Sequence, residues 1–251
     1  MNVAARTQGP LKLIFIAYKW IVVAPILAFS TIVLGSIIIV LSSLGAPNMA
    51  SRVFATAWAR FNSAVSMMSV IHKGRENLNP SRSYVVVSNH QSLYDIYVLY
   101  GFLGVDFKWV MKSELRSVPV LGAACAAMGH IMVDRSNTGA ALASINSARS
   151  SIVDGISVVF FPEGTRSRQG ELNPFKKGAF RFAIEMRLPI LPVVIHGTKD
   201  ILPSDTIDLM PGQATLEILP AIETKGLSAE AASELSRKAH DQIRLALNQA
   251  S

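Results

Sequence analysis

Apolar and polar positions along the chain fall into three regimes. From Trp20 to Ser51 there is no Asp, Glu, Lys or Arg for 32 residues, and Trp20–Leu41 is almost wholly apolar. About 20 such residues suffice to cross a bilayer. A cleaved signal peptide fits this run poorly, because the run exceeds the usual ~7–15 apolar residues and no small-residue cleavage site follows. A buried helix of a soluble protein would need far more protein around it than this chain offers. A membrane segment fits best, as one span or as a re-entrant hairpin. Pro25 and Gly35 offer bends, and the turn formers from Ser42 to Asn48 end the helix. The run itself leaves span and hairpin open.

In the second regime Val53, Phe54, Ala57, Trp58, Phe61, Val65 and Met68 recur at helical spacing, with Arg52, Thr56, Arg60 and Ser63 largely outside the stripe. This predicts an amphipathic helix, suited equally to a membrane interface and to packing on a folded core. His72 closes it beside Lys73, as a solvated or capping residue.

After Asn79-Pro80 short β-type runs alternate with helical stretches, the signature of an α/β domain with a mixed, largely parallel sheet flanked by helices. Strands are expected near Tyr84–Val87, Phe107–Met111, Ile131–Val133, Ser157–Phe161, Ile190–Ile195 and Ala214–Leu219. Helices are expected at Leu93–Leu103, Gly139–Val153, Lys177–Arg187 and Ala229–Asn248. Ser228 is placed to cap the last of these, and Leu235, Ala239, Ile243 and Leu247 share one of its faces, leaving His240 outside. The division is then a membrane-anchoring helical segment over 1–75 and an α/β domain over 76–251.

Composition adds a partner. The chain has 251 residues, half of them hydrophobic, and a mean hydropathy of +0.36. Its net charge of +7 belongs entirely to the first 82 residues, which hold eight basic side chains against one acid, Glu76. Basic residues interleaved with long apolar runs suit an anionic membrane surface. No zinc-finger or RNA-binding signature supports a nucleic-acid partner. A single cysteine, Cys125, excludes an internal disulfide and a cysteine-rich metal site, and its small-residue surroundings predict a buried, inert thiol.

Candidate chemistry gathers where two strands end. After Tyr84–Val87 comes Ser88-Asn89-His90-Gln91-Ser92-Leu93-Tyr94-Asp95, so His90 stands at a strand's carboxyl end, where open α/β sheets bind ligands. Asp95, in the first turn of the following helix, is within reach of the imidazole and suited to fix its tautomer. The same residues also satisfy a cap with a first-turn acid, and these eight alone do not separate the two readings. The second run, Val158–Phe161, exits into Pro162-Glu163-Gly164-Thr165-Arg166-Ser167-Arg168, which offers backbone N–H groups, a hydroxyl and a guanidinium to a phosphate. Lys176-Lys177-Gly178 then opens a helix whose N-terminus also favours an anion. His130 and His196 have no partner by spacing and are taken as structural.

Asn89-His90-Gln91-Ser92-Leu93-Tyr94-Asp95 resembles the NHxxxxD block of the glycerolipid acyltransferases, and Phe161–Ser167 resembles their FPEGTRS block. Lys112-Ser113-Glu114-Leu115 with Pro119, Gly122, Gly129 and Asp134-Arg135 is similar to the intervening block, and Leu191–Gly197 to the fourth. The resemblance covers about Lys73 to Pro220 and is nearest to the lysophosphatidic acid acyltransferases. It departs at Ile131-Met132-Val133, where the family has an aromatic residue before its Asp-Arg pair.

The resemblance implies the glycerolipid acyltransferase fold and acyl transfer from a thioester, with acyl-CoA or acyl carrier protein as co-substrate and no resident cofactor or metal. The acceptor is a lysophospholipid, 1-acylglycerol 3-phosphate, and the product phosphatidic acid. His90 is the general base and Asp95 its orienter. Arg166, with Lys112 and Lys177, holds the acceptor phosphate; Gly164 and Thr165 admit backbone donors; Glu163 orders the loop or touches the acceptor. The absence of a G-x-S-x-G elbow agrees with direct attack rather than an acyl-enzyme. The expected location is the inner membrane, with the catalytic domain facing the cytoplasm. Alternatives are another lysolipid or glycerol 3-phosphate as acceptor, a metal-dependent phosphohydrolase with Glu163 as third ligand beside His90 and Asp95, and a silent membrane-binding module.

Overall fold

A computed structural model describes residues 10–134, 138–152, 155–167 and 171–249. Arg135, Val153 and Arg168 lie outside the described residues. The chain runs α1 (Pro10–Tyr18), α2 (Ala24–Ser43), α3 (Pro47–Ala50), α4 (Thr56–Val65), β1 (Met68–Lys73), β2 (Val85–Ser88), α5 (Tyr94–Phe102), β3 (Phe107–Lys112), α6 (Leu121–Ala127), β4 (Ile131–Val133), α7 (Thr138–Ser147), β5 (Ser157–Phe160), α8 (Gly178–Met186), β6 (Ile190–His196), α9 (Thr198–Ile201), β7 (Gly212–Ile218) and α10 (Ala232–Gln249).

The strands form one seven-stranded sheet in the order β1-β7-β6-β2-β5-β3-β4. Every pairing is parallel except β6 with β7. Central strands of a parallel sheet are covered on both faces, which is why β2 and β5 read as unbroken apolar runs. Val86 of β2 packs with Leu99, Trp109, Leu191 and Val193 on one face. Its neighbours Val85 and Val87 pack with Phe180, Phe182, Leu235 and Ile243 on the other. The mixed, largely parallel α/β architecture expected from the sequence is therefore the one observed.

β1 is a correction. The amphipathic stripe predicted a helix running through Met68 and closing at His72, but α4 stops at Val65 and Met67 takes a left-handed φ of 56°. The residues beyond pair in parallel with β7, from Met68↔Gly212 to Lys73↔Glu217. His72 is thus a half-buried strand residue against Phe102, with its Nδ1 buried and unpartnered. The sheet accordingly begins eight residues ahead of position 76. Long-range pairing overrode a local helical period that fits both ends of this stretch.

The apolar N-terminal run is a continuous helix from Leu13 to Ser43, 31 residues long, with only 22% of its most apolar window buried by protein. At 1.5 Å per residue it is about 46 Å long, more than the ~30 Å hydrocarbon core of a bilayer. The chain then turns through Gly45, whose φ is 88°, and comes back. Tyr18 donates to the Val65 carbonyl at 2.8 Å, Trp58 Nε1 to the Thr31 hydroxyl at 3.0 Å and Asn62 Nδ2 to the Ser30 hydroxyl at 3.0 Å. Their order along the chain describes an antiparallel helical hairpin made by this unbroken helix and α4, with the turn after the apolar run and not within it.

Among the contacts that fasten this hairpin to the α/β domain are three from its long helix and turn. Gly35 presents bare backbone to Val120, whose Cγ1 would lie 2.7 Å from any added Cβ. Buried Lys108 on β3 donates to Asn48 Oδ1 at 2.9 Å and to the Met128 carbonyl at 2.7 Å. Lys19, in a single π turn between α1 and α2, donates to the Ile207 carbonyl at 2.8 Å.

Cys125 is buried on α6, and burial pushes its thiol up to about 11, as an inert cysteine requires. His130 is also buried, in hydrogen-bond contact with the Tyr100 hydroxyl through Nε2 and accepting the Trp109 amide at Nδ1. Burial, with the Lys108 charge beside it, pushes His130 down to about 3. The unfolded chain protonates this residue near pH 6.5, so the stability it contributes is complete above that pH and is lost as pH falls toward 3. One proton sets a slope of at most about 1.4 kcal/mol per pH unit. His130→Gln should flatten the decline in unfolding free energy between pH 6.5 and 4.5; a denaturation series with an unchanged slope would assign that decline to other groups.

Candidate active site

β2 and β5 are neighbours and parallel, so the loops that leave their carboxyl ends stand side by side. The first loop carries His90. Its imidazole Nδ1 lies 2.8 Å from Asp95 Oδ2, and its face stacks on Phe161 at a centroid distance of 3.8 Å and an interplanar angle of 8°. Phe161 in turn leans on Trp109, with ring centroids 5.3 Å apart. Since an ionised carboxylate only accepts, Nδ1 carries the proton and the lone pair falls on Nε2. Among the described residues nothing bonds Nε2, and the side chain keeps 15% of its surface exposed. The imidazole is thus held at two points with its Nε2 left open.

Asp95 is fully buried on the first turn of α5. Oδ2 also accepts the backbone amides of Gln91 at 2.7 Å and Ser92 at 2.9 Å. Those amides curl around the oxygen as an anion nest, which an uncompensated buried carboxylate would need. The Ser92 hydroxyl accepts the Tyr94 amide, the first of α5, at 3.1 Å. The two readings of this stretch therefore coexist, and Asp95 serves both, accepting from the imidazole and from the Ser92 amide.

The second loop is tied to the first through Glu163, which is buried rather than facing the crevice. Its Oε1 accepts the His90 amide at 2.8 Å, and Oε2 accepts the amide and side-chain nitrogens of Asn173 at 2.9 Å each. Burial pushes its carboxyl above the ordinary range, against the opposing pull of these hydrogen bonds. Of the two roles expected for Glu163, ordering the loop is the one its contacts serve. The Ser167 amide adds a bond to the His90 carbonyl at 2.8 Å, and the Ser204 hydroxyl donates to the carbonyls of Gln91 at 2.8 Å and Ser167 at 3.1 Å.

Gly164 takes a φ of 77°, and a Cβ there would lie 2.9 Å from Nζ of Lys176. The bare turn thus admits an ammonium. Thr165 beside it is exposed, and Arg166 is partly exposed with Nη2 3.5 Å from Asp205 Oδ1. Lys176, rather than Lys177, is the lysine against this turn; Lys177 is exposed at the start of α8. Lys112 ends β3, with its ammonium on Glu114 at 2.7 Å. The site therefore gathers His90, Asp95, Glu163, Gly164, Arg166 and Lys176, while Lys112 is engaged with its own loop.

Sequence reasoning missed the clamp from β6. The Asn89 side chain bridges both sides of Ile195, donating from Nδ2 to its carbonyl at 2.9 Å and accepting its amide at Oδ1 at 2.8 Å. The Ser92 hydroxyl donates to the Leu202 carbonyl at 2.7 Å. These partners are more than a hundred residues apart, so spacing carried no signal. His196 likewise has a partner that spacing hid, Glu217 on antiparallel β7, at 2.9 Å from Nε2. His240 is partly covered by Phe175 rather than free in solvent.

A family model described as acyltransferase matches residues 69–196, from β1 to the end of β6. The chain belongs to the acyltransferase family. It is 35% identical over 159 residues to the 1-acyl-sn-glycerol-3-phosphate acyltransferase alpha of Homo sapiens, covering 63% of this chain and 56% of that protein. It is 41% identical over 133 residues to the chloroplastic 1-acyl-sn-glycerol-3-phosphate acyltransferase BAT2 of Brassica napus, covering 53% and 38%. The chain spans about half the length of the curated relatives it matches. The solved structure of the 1-acyl-sn-glycerophosphate acyltransferase PlsC from Thermotoga maritima is similar over 95% of both chains, with a TM-score of 0.77 and 25% identity. At that coverage the likeness extends beyond the residues of the family model to most of the chain.

Because both oxygens of Glu163 are needed as acceptors, Glu163→Gln turns one of them into a donor facing N–H groups. The expected cost is about 1–3 kcal/mol of unfolding free energy, read as a lower denaturant midpoint. A variant as stable as the parent would mean that the two loops of this acyltransferase are held together without Glu163.

Proposed function

We propose that this acyltransferase moves an acyl chain from an acyl thioester to the free sn-2 hydroxyl of 1-acylglycerol 3-phosphate, giving phosphatidic acid. The observation that carries the reading is a base with a free Nε2 beside a bare, basic turn: His90, oriented by buried Asp95, next to Gly164, Arg166 and Lys176. His90 Nε2 takes the hydroxyl proton as the oxygen attacks the thioester carbonyl. The new C–O bond forms, the C–S bond breaks, and the imidazolium returns the proton to the leaving thiolate. Asp95 stabilises the imidazolium between those events. Acyl-CoA and acyl carrier protein both supply such a thioester, and no resident cofactor or metal is assigned. A metal-ligand role for Glu163 is disfavoured because its oxygens already serve the His90 and Asn173 amides.

The acceptor phosphate is assigned to Arg166 and Lys176, with Thr165 at the rim and Lys112 and Lys177 contributing positive potential. The lipid acceptor is assigned to the hairpin's side of the molecule. Leu13, Ile14, Ile21, Phe29, Ile32 and Val40 are exposed there, an apolar surface that water does not tolerate and a bilayer does. Docking at the lipid surface avoids lifting each acceptor into water at about 0.8 kcal/mol per CH₂. The basic residues of the N-terminal third suit an anionic leaflet, which supports an inner-membrane location with the α/β domain on the cytoplasmic side.

The test is an assay of purified protein with 1-acylglycerol 3-phosphate and either donor, reading phosphatidic acid. Product from another lysolipid alone would overturn the acceptor. His90→Ala should lower kcat by about 10²–10⁴-fold while membrane partitioning is unchanged; wild-type turnover would remove His90 from the chemistry. Arg166→Ala should raise the KM for the phosphate-bearing acceptor by about 10–100-fold. A change confined to the KM of the thioester would move the clamp to the other substrate.

A further inference from the structure

Asp95 has a second oxygen, and its partner comes from none of the four stretches that carry the family resemblance. Oδ1 accepts a hydrogen bond from the Thr198 hydroxyl at 2.5 Å, and both residues are fully buried. Thr198 is the first residue of α9, and its backbone already serves that turn, since its carbonyl accepts the Leu202 amide at 3.0 Å. The hydroxyl proton is therefore spent on Asp95 rather than on the helix.

The position of that hydroxyl is fixed from behind. Gly197 has a φ of 80°, and an added Cβ would lie 2.3 Å from the Gln213 carbonyl oxygen, so the chain leaves β6 pressed against β7. Only glycine reaches this conformation without strain at such a distance. The next residue, Thr198, then begins directly beneath the carboxylate.

We propose that Thr198 is a positioning residue for acyl transfer: by holding Oδ1, it sets the plane of the Asp95 carboxylate so that Oδ2 meets His90 Nδ1. The proposal rests on the acyl-transfer reading above. Without the hydroxyl, Oδ1 is a buried charged oxygen with no donor, and a carboxylate that turns to find one leaves the imidazole. Supporting partners of this kind, one step behind a reacting group, typically contribute about 10–100-fold in activity. Thr198 does not touch the substrates, so its contribution falls on turnover and not on binding.

The test compares full-length wild type, Thr198→Val, Thr198→Ser, Asp95→Asn and the double variant Thr198→Val/Asp95→Asn in the phosphatidic acid assay. Thr198→Val should lower kcat by about 10–100-fold with both KM values unchanged. Thr198→Ser, which keeps the hydroxyl, should restore most of the turnover. In the Asp95→Asn background the valine should cost almost nothing further, since its effect runs through the carboxylate. Wild-type turnover in Thr198→Val overturns the proposal, as does a serine variant no better than valine, or a valine penalty that persists in full beside Asp95→Asn. If Thr198→Val does not fold, Thr198→Ala against Thr198→Ser makes the same comparison. Absence of product from the wild type would instead overturn the acyl-transfer reading, so the two failures are distinguishable.

Discussion

A carboxylate buried without compensation would neutralise or unfold its surroundings, and Asp95 is buried completely. What compensates it is a set of donors drawn from two parts of the chain: the imidazole of His90 with the amides of Gln91 and Ser92, and the hydroxyl of Thr198. Each donor imposes a constraint. The nest fixes the path of the loop after β2, the bond to Nδ1 fixes the tautomer of His90, and Thr198 ties the turn after β6 to α5. The pairing of β6 with β2 brings these contributors together, so the fold and the hydrogen bonding of one side chain are linked.

The same economy appears in how the loops are joined. Glu163 is anionic in character yet serves as a splice between the His90 loop and Asn173, leaving the positive groups of its own turn to face the crevice. The segment after α9 closes the arrangement. Ser204 bridges the two loops, Asp205 meets Arg166, and Ile207 receives Lys19 from the helical hairpin. One short stretch thus contacts the His90 loop, the basic turn and the apolar helix. A lysine otherwise out of place in an apolar helix has its explanation there: its charge is carried to the protein domain, and the remaining surface of the helix stays apolar.

Much of this was legible in advance, and the errors have specific causes. The central strands declared themselves because burial on both faces demands unbroken β-branched runs such as Val85–Val87 and Val158-Val159. His90 and Asp95 were found because a loop-to-helix junction brings positions five apart into contact, a local fact. β1 was missed because Met68–Lys73 continues the amphipathic period of the preceding helix, and its partner strand lies about 140 residues later. Lys177 was preferred over Lys176 because adjacency to a helix start was visible, whereas the space left by Gly164 was not.

By itself, then, the sequence determined what depends on neighbours along the chain: the alternation of strands and helices, the long uncharged apolar run, and the two polar strand exits with their histidine and their guanidinium. Only the tertiary structure decided which donors complete Asp95, which way Glu163 faces, and that α4 folds back along the apolar helix. The physical reason is common to all three. A buried charge or an unpaired polar group is satisfied by whichever donor the sheet brings near, and strand order sets that proximity without leaving a spacing in the sequence.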